Sequence, residues 1–111
     1  MIEKVILDFL KNNLSVPSFM EERNIKVDKF VLIEKVGGSE ENFIKRANIT
    51  IQSIAPTLYE AASLNEELKE VIKDIVYLDE ISKISLNSDY NYTDTSQKRY
   101  RYQAVFDLFY Y

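Results

Sequence analysis

Two different periods of apolar residues divide this chain. At its start Ile2, Val5, Ile6, Phe9 and Leu10 recur at helical spacing, with Glu3, Lys4, Asp8 and Lys11 on the other side. This pattern predicts an amphipathic helix of about three turns, ended by Asn12 and Asn13. Ser15 to Asp28 reads as a connection or a weak edge strand interrupted by Pro17. Lys29 to Val36 is a strand with apolar residues on both sides at its centre, so it belongs inside a sheet. Gly37-Gly38-Ser39 breaks that run. In the next strand, Phe43 to Ala55, the residues Phe43, Ala47, Ile49 and Ile51 face one way and Asn48, Thr50 and Gln52 the other. The glycine-rich break between the two predicts a hairpin turn.

Pro56 stops the second strand, and the period changes again. Thr57-Leu58-Tyr59-Glu60 fits a capping box, in which the Thr57 hydroxyl accepts from the third helical amide and Glu60 reaches back. Leu58, Ala61, Ala62, Leu68, Val71, Ile72, Ile75 and Val76 then form one helical stripe to about Tyr77. From Ile81 to Tyr111 the chain reads as two long strands joined by a polar turn. In the last strand Tyr100, Tyr102, Ala104, Phe106, Leu108 and Tyr110 share a face that helices are expected to cover. Arg99, Arg101, Gln103, Val105, Asp107, Phe109 and Tyr111 share the other. Val105, Phe109 and Tyr111 make that second face partly apolar, and a second copy of the chain is an available cover.

The order is helix, strand, strand, helix, strand, strand. It predicts an α+β fold, a four-stranded antiparallel sheet with two helices on one face. The length supports one domain over residues 1–111. A strand of about 12 residues runs roughly 40 Å, against roughly 30 Å for a helix of about 20. The tip of the last hairpin, Asn87 to Gln97, is therefore expected to project beyond the helices. It carries Tyr90 and Tyr92, as a contact arm does.

Composition narrows the function by subtraction. The chain has no Cys and no His. That removes the thiolate nucleophile and metal ligand, the usual neutral-pH base and the Ser-His triad. The formal net charge is −4, against the basic balance of nucleic-acid modules. No apolar run reaches the about 18 residues of a membrane span, and MIEKVILDFLKNN mixes charge with apolar residues unlike a signal peptide. Cytoplasmic synthesis and no membrane association are the expectation. Charge is unevenly spread: residues 60–80 hold seven acids against Lys69 and Lys73, whereas Lys98, Arg99 and Arg101 cluster near the end. Such surfaces are either solvated or suited to head-to-tail self-association.

The remaining chemical motifs are weak. Glu66, Glu67, Glu70 and Asp74 resemble a cation or acid–base cluster, but interleaved lysines make them a solvated helix face. Asp89-x-Asn91-x-Thr93 starts like a calcium loop, then has Asp94 in place of its glycine and Tyr100 in place of its bidentate glutamate. Gly37-Gly38-Ser39 lacks the lysine of a phosphate cradle. Lys98-Arg99-Tyr100-Arg101-Tyr102 mixes bases with aromatics as single-strand platforms do, yet alternation puts tyrosines and arginines on opposite faces. No catalytic set, cofactor or metal site emerges, and no specific nucleic-acid binding is expected.

Three stretches resemble the tail terminator (tail-tube capping) proteins of long-tailed phages and prophages of Gram-positive bacteria. They are VLIEKVGGSEENFIKRANITIQSIAPTLYEAASLNEELKEVI, LNSDYNYTDTSQKRYRYQAVFDLFYY and the short opening helix. The resemblance implies a small α+β domain that assembles as a hexameric ring and is not an enzyme. It implies partners: other copies of itself, the major tail-tube protein and a head-neck connector protein. It implies a place in the virion tail, after assembly in the bacterial host cytoplasm. No contact motif transfers with it. The residues themselves nominate Tyr90, Tyr92, Arg99, Arg101, Phe109 and Tyr111 for subunit or tube contacts. A head–tail joining protein of the same particle and a small acidic protein-binding module are the alternative functions.

Overall fold

Helical spacing and alternation converge on one apolar layer between two helices and a sheet. The computed structural model describes residues 1–96 and 99–111. Its elements run α1 (Ile2–Asn13), β1 (Ser18–Phe19), β2 (Phe30–Glu41), β3 (Ile44–Ala55), α2 (Leu58–Ile72), a 3₁₀ turn (Lys73–Tyr77), β4 (Ile81–Asn91) and β5 (Tyr100–Tyr110). The strands form one sheet in the order β1-β2-β3-β5-β4. On α1 the buried residues are Ile2, Ile6 and Leu10, four apart on a single stripe. They pack with Leu64, Leu68 and Ile72 of α2 onto Val31, Ile33, Ala47, Ile49, Ile51, Ala104, Phe106 and Leu108 of the sheet. The end of α1 is tied to α2 where the Ser15 amide and hydroxyl both donate to the Glu67 carboxylate, at 2.9 and 2.7 Å.

The sheet corrects the expected four-stranded antiparallel one. It has five strands and is mixed, because β1 pairs in parallel with β2, Ser18 opposite Val31 and Phe19 opposite Leu32. The element order gains that strand between the first helix and β2. Two residues are too few to show a period, so alternation could not reveal them. Pro17 has no amide to give, but its carbonyl accepts from the Val31 amide at 3.0 Å and starts the pairing.

The hairpin turn is also corrected. β2 runs through Gly37 and Gly38, neither of which has a positive φ, and the turn is made by Asn42 (φ 52°) and Phe43 (φ 67°). The glycines sit instead beside a register shift between Lys35 and Gly37. A Cβ on Gly37 would lie 3.1 Å from Asn48 Oδ1, and one on Gly38 would lie 3.3 Å from the Arg46 carbonyl oxygen. Close approach, rather than turn geometry, is why glycine occupies both positions.

Two burial expectations fail as well. Phe43 is 90% exposed at the turn rather than facing the core. Tyr100 is exposed and Tyr102 half-buried, because both lie at the end of β5 distal to the buried run Ala104, Phe106, Leu108. The second helix begins where expected: Thr57 Oγ1 accepts from the Glu60 amide at 3.2 Å. Glu60 returns its carboxylate to the Thr57 hydroxyl, at 3.0 Å, rather than to the backbone amide. The α-helix stops at Ile72, and a 3₁₀ turn carries the stripe on to buried Ile75.

Candidate assembly surfaces

The open face of the sheet, opposite the helices, carries the polar half of each alternation. Near β1 it is capped by a small second core. Phe30 and Ile54 are fully buried there, with the Phe19 ring edge-on to Phe30 at 5.9 Å. The segment after β1 supplies Glu22, which closes this corner electrostatically. Arg101 Nη2 donates to both Glu22 carboxylate oxygens at 2.8 Å, and Arg101 Nη1 donates to Gln52 Oε1 at 2.9 Å. The Arg101 side chain is only 11% exposed. Arg99 lies over the Phe30 ring at 5.3 Å and reaches Glu22 at 3.5 Å. Both arginines nominated as outward contacts thus also serve this internal corner. Lys98, the third base of that cluster, and Gln97 at the end of the expected tip lie outside the described residues.

Tyr90 and Tyr92 stand beside this corner at the distal end of β4. Their rings meet at 6.0 Å and 67°, and they are 42% and 51% exposed. The Tyr90 oxygen accepts from Gln103 Nε2 at 2.6 Å, and Gln103 in turn accepts from Gln52 Nε2 at 3.1 Å. Beyond them the loop is held by its own side chains: Thr93 Oγ1 accepts from the Arg101 amide at 3.0 Å, and Asp94 accepts from the Ser96 amide and hydroxyl at 2.9 and 2.7 Å. Those two donors hold the Asp94 carboxyl below its ordinary pKa.

Phe109 and Tyr111 lie at the other end. β3 and β5 pair Lys45 with Tyr110 at one extreme and Ala55 with Tyr100 at the other, so the two ends of β5 are the two ends of the sheet. The half-buried Phe109 ring lies beneath Arg46, at 5.9 Å, and Lys83, at 5.8 Å. It lines a shallow groove with Ser39, Glu41, Asn42, Ile44 and Arg46. Tyr111 is 63% exposed, and its amide donates to the Glu80 carbonyl at 3.0 Å. The structure therefore divides the six nominated residues into two groups, one per end.

Sequence reasoning missed the most exposed aromatic at the second end, Phe43. A period-two count assigns it to the core, and only an Asn-x turn at Asn42 signals otherwise. It also missed Tyr59 and Tyr77, both over four-fifths exposed at the two ends of the α2 and 3₁₀ stretch. Their signal was available, since neither belongs to the apolar stripe.

Two carboxylates connect these surfaces to the body. Asp89 on β4 accepts from Lys69 Nζ and Asn65 Nδ2, each at 2.8 Å, and Lys69 also pairs with Glu66 at 2.8 Å. The Lys69 hydrogen bond lowers the Asp89 pKa, against the opposing effect of burial. The same bond, with that of Glu66, raises the Lys69 pKa. Asp107 lies on the open face, accepting from Arg46 at 3.1 Å and from Asn48 and Asn87. Burial pushes its pKa up, but those donors prevail and hold it low. These are pairing arrangements, each carboxylate being occupied by donors from neighbouring elements.

Among the described residues no three acidic side chains converge as metal ligands would, and no helix is long and apolar enough to cross a membrane. No protein-family model matches this chain, and no curated protein sequence matches it significantly.

Proposed function

We propose that this chain is a structural assembly protein that closes the end of a phage tail tube as a ring of identical copies. Its near side ends growth of the tube, and its far side meets the head neck. One observation carries the reading: solvent-accessible aromatic residues lie at opposite ends of a single sheet. Exposed Phe43 and Tyr111, with half-buried Phe109, mark one end, and Tyr90, Tyr92 and Tyr100 the other. A protein seated between two different partners along one axis needs two such ends. Exposed aromatics supply much contact area for little loss of side-chain freedom. The resemblance of the sequence to tail terminators supports the same reading.

The test is polymerisation of a tail-tube protein with and without this chain, followed by electron microscopy. Tubes should become shorter and carry a ring at one end. Phe43→Glu and Tyr92→Glu separate the two ends: one should abolish capping, and the other should leave capping intact and weaken binding to the neck connector. Tubes that grow to the same length with and without the protein would sink the capping role. A ring that binds the connector and leaves tube growth unchanged would move the chain to head–tail joining.

A further inference from the structure

The sheet has two long edges without a strand partner among the described residues. One is the outer side of β4, the last strand in the order. The other is the outer side of β2 beyond Leu32, because β1 pairs only with Val31 and Leu32. Unpaired backbone along such edges is a template for adding a strand. On β4 the regular stretch between two register shifts is Lys83 to Leu86. On β2 the regular stretch beyond its own shift is Gly37 to Glu41. The two stretches are of similar length.

We infer that these edges pair with each other between neighbouring copies, β4 of one copy against the distal half of β2 of the next. Three properties select this partner. The first is direction. β2 and β4 run antiparallel within one sheet, since β2-β3, β3-β5 and β5-β4 are each antiparallel. Rotation about an axis along the strands preserves direction, so β2 of the next copy meets β4 antiparallel.

The second is the face each residue occupies. Lys83 and Ser85 pair with Phe109 and Asp107 and therefore share the open face; Ile84 and Leu86 pair with Leu108 and Phe106 and share the helical face. On β2, Ser39 is opposite Arg46 on the open face, Glu41 follows two residues later on that face, and Gly38 and Glu40 take the helical face. A register with Lys83 against Glu41 keeps every pair on a matching face: Ser85 meets Ser39, and Leu86 meets Gly38. A shift of one residue would mismatch them all.

The third is charge. Lys83 forms no ion pair among the described residues, and neither do Glu40 and Glu41. The proposed register brings this cation to Glu41 on the same face, a favourable cross-strand pair. It also lays Leu86, which is 47% exposed, over the bare backbone of Gly38. The contact is head-to-tail, so it closes into a ring when the rotation permits. It deepens the ring reading above and rests on it for closure.

The absence of cysteine makes the test clean. Ser39→Cys and Ser85→Cys are near-isosteric and place the two thiols directly opposite each other in the proposed pair. Within one chain they are separated by three strand spacings, about 14 Å, well beyond the about 7 Å limit for bridging. Under mild oxidation of purified protein, a mixture of the two single variants should give a mixed disulfide dimer. The double variant should give a ladder of linked species, and each single variant alone should stay unlinked. Lys83→Glu should strongly reduce the linking, and Glu41→Lys added to it should restore much of it. No mixed disulfide from folded variants would overturn the pairing. A dimer from Ser85→Cys alone would do so too, since it means that β4 pairs with β4. No tube protein is present, so this result is independent of capping. Cross-linked rings that fail to cap would keep the contact and remove the capping role.

Discussion

The β2–β3 and β4–β5 hairpins are nearly equal in length and differ in how they are held. The β2–β3 hairpin ends in a two-residue turn whose residues both have left-handed backbone, and its Phe43 ring projects into solvent. The β4–β5 hairpin ends in a loop braced by Thr93 and Asp94, and its β4 strand is tied to α2 through Asp89, Asn65 and Lys69. Both hairpins have a backbone ladder; the first closes on a strained turn, whereas the loop and outer strand of the second are braced by charged and polar side chains. Neither reach nor exposure alone therefore marks a contact arm. The polar-tipped hairpin has internal reasons for its residues, whereas the exposed Phe43 ring has none inside the chain.

The largest effect should come from removing the charged tie. Asp89→Ala leaves Asn65 Nδ2, on a fully buried residue whose Oδ1 is already unpaired, without a partner. It also takes from Lys69 one of its two carboxylates. The cost should be about 2 kcal/mol, a melting-point loss of about 10 °C. A thermal melt reads it, and an unchanged midpoint would mean that the ladder alone holds β4–β5.

The same tie should respond to pH in both directions. The Asp89 pKa is lowered in the folded state, so its contribution is complete above the ordinary carboxylate range and is lost as pH falls through the lowered value. The Lys69 pKa is raised, so its contribution is present below the ordinary lysine range and is lost as pH rises through the raised value. Denaturant midpoints across acid pH should fall less steeply in Asp89→Asn than in the parent. Equal slopes would remove Asp89 from the acid response and leave it to carboxylates such as Asp94 and Asp107, which are also held low.

Thr57→Ala alters neither hairpin. Loss of the bond from the Glu60 amide should cost about 1 kcal/mol. The acid slope should stay as in the parent, and a mutant whose acid slope changes would show that α2 transmits its cap to the β4–β5 tie.

The smallest effect should be a gain. Left-handed backbone costs a residue with a Cβ about 1 kcal/mol, and glycine returns part of that through its freer unfolded chain. Phe43→Gly should therefore stabilise the fold by roughly 0.5 kcal/mol. If Phe43 is a contact residue, the same variant should lose capping or neck binding while melting higher. A variant that melts lower would mean that the ring packs where its 90% exposure says it does not.

The comparison also shows where the amino-acid pattern was informative. The bounds of α1, the Thr57 cap, the faces of Ala47, Ile49 and Ile51, and the start of β4 and end of β5 were legible, because each rests on spacing within one element, whereas β4 runs on to Asn91, into the tip expected from Asn87. The glycine pair misled for a definite reason: glycine serves turns and close approach alike, and Asn48 and Arg46, which crowd it, lie on another strand. Of the candidate site, the exposure of Tyr92 and Tyr111 and their placement at opposite ends of the last hairpin were readable, but the ion pair that turns Arg101 to Glu22 was not.

The helical stripes, the long alternating strands and a chemistry without cysteine or histidine follow from the order and kind of residues alone, since periodicity and composition are local properties. The parallel pairing of β1, the inward turn of Arg101 to Glu22, and the position of β4 and the part of β2 beyond Leu32 as edges without a strand partner among the described residues come from the packing of the whole fold. Those outcomes depend on which strands become neighbours. Residues 79 positions apart, as Glu22 and Arg101 are, acquire a common environment only when the sheet brings them together.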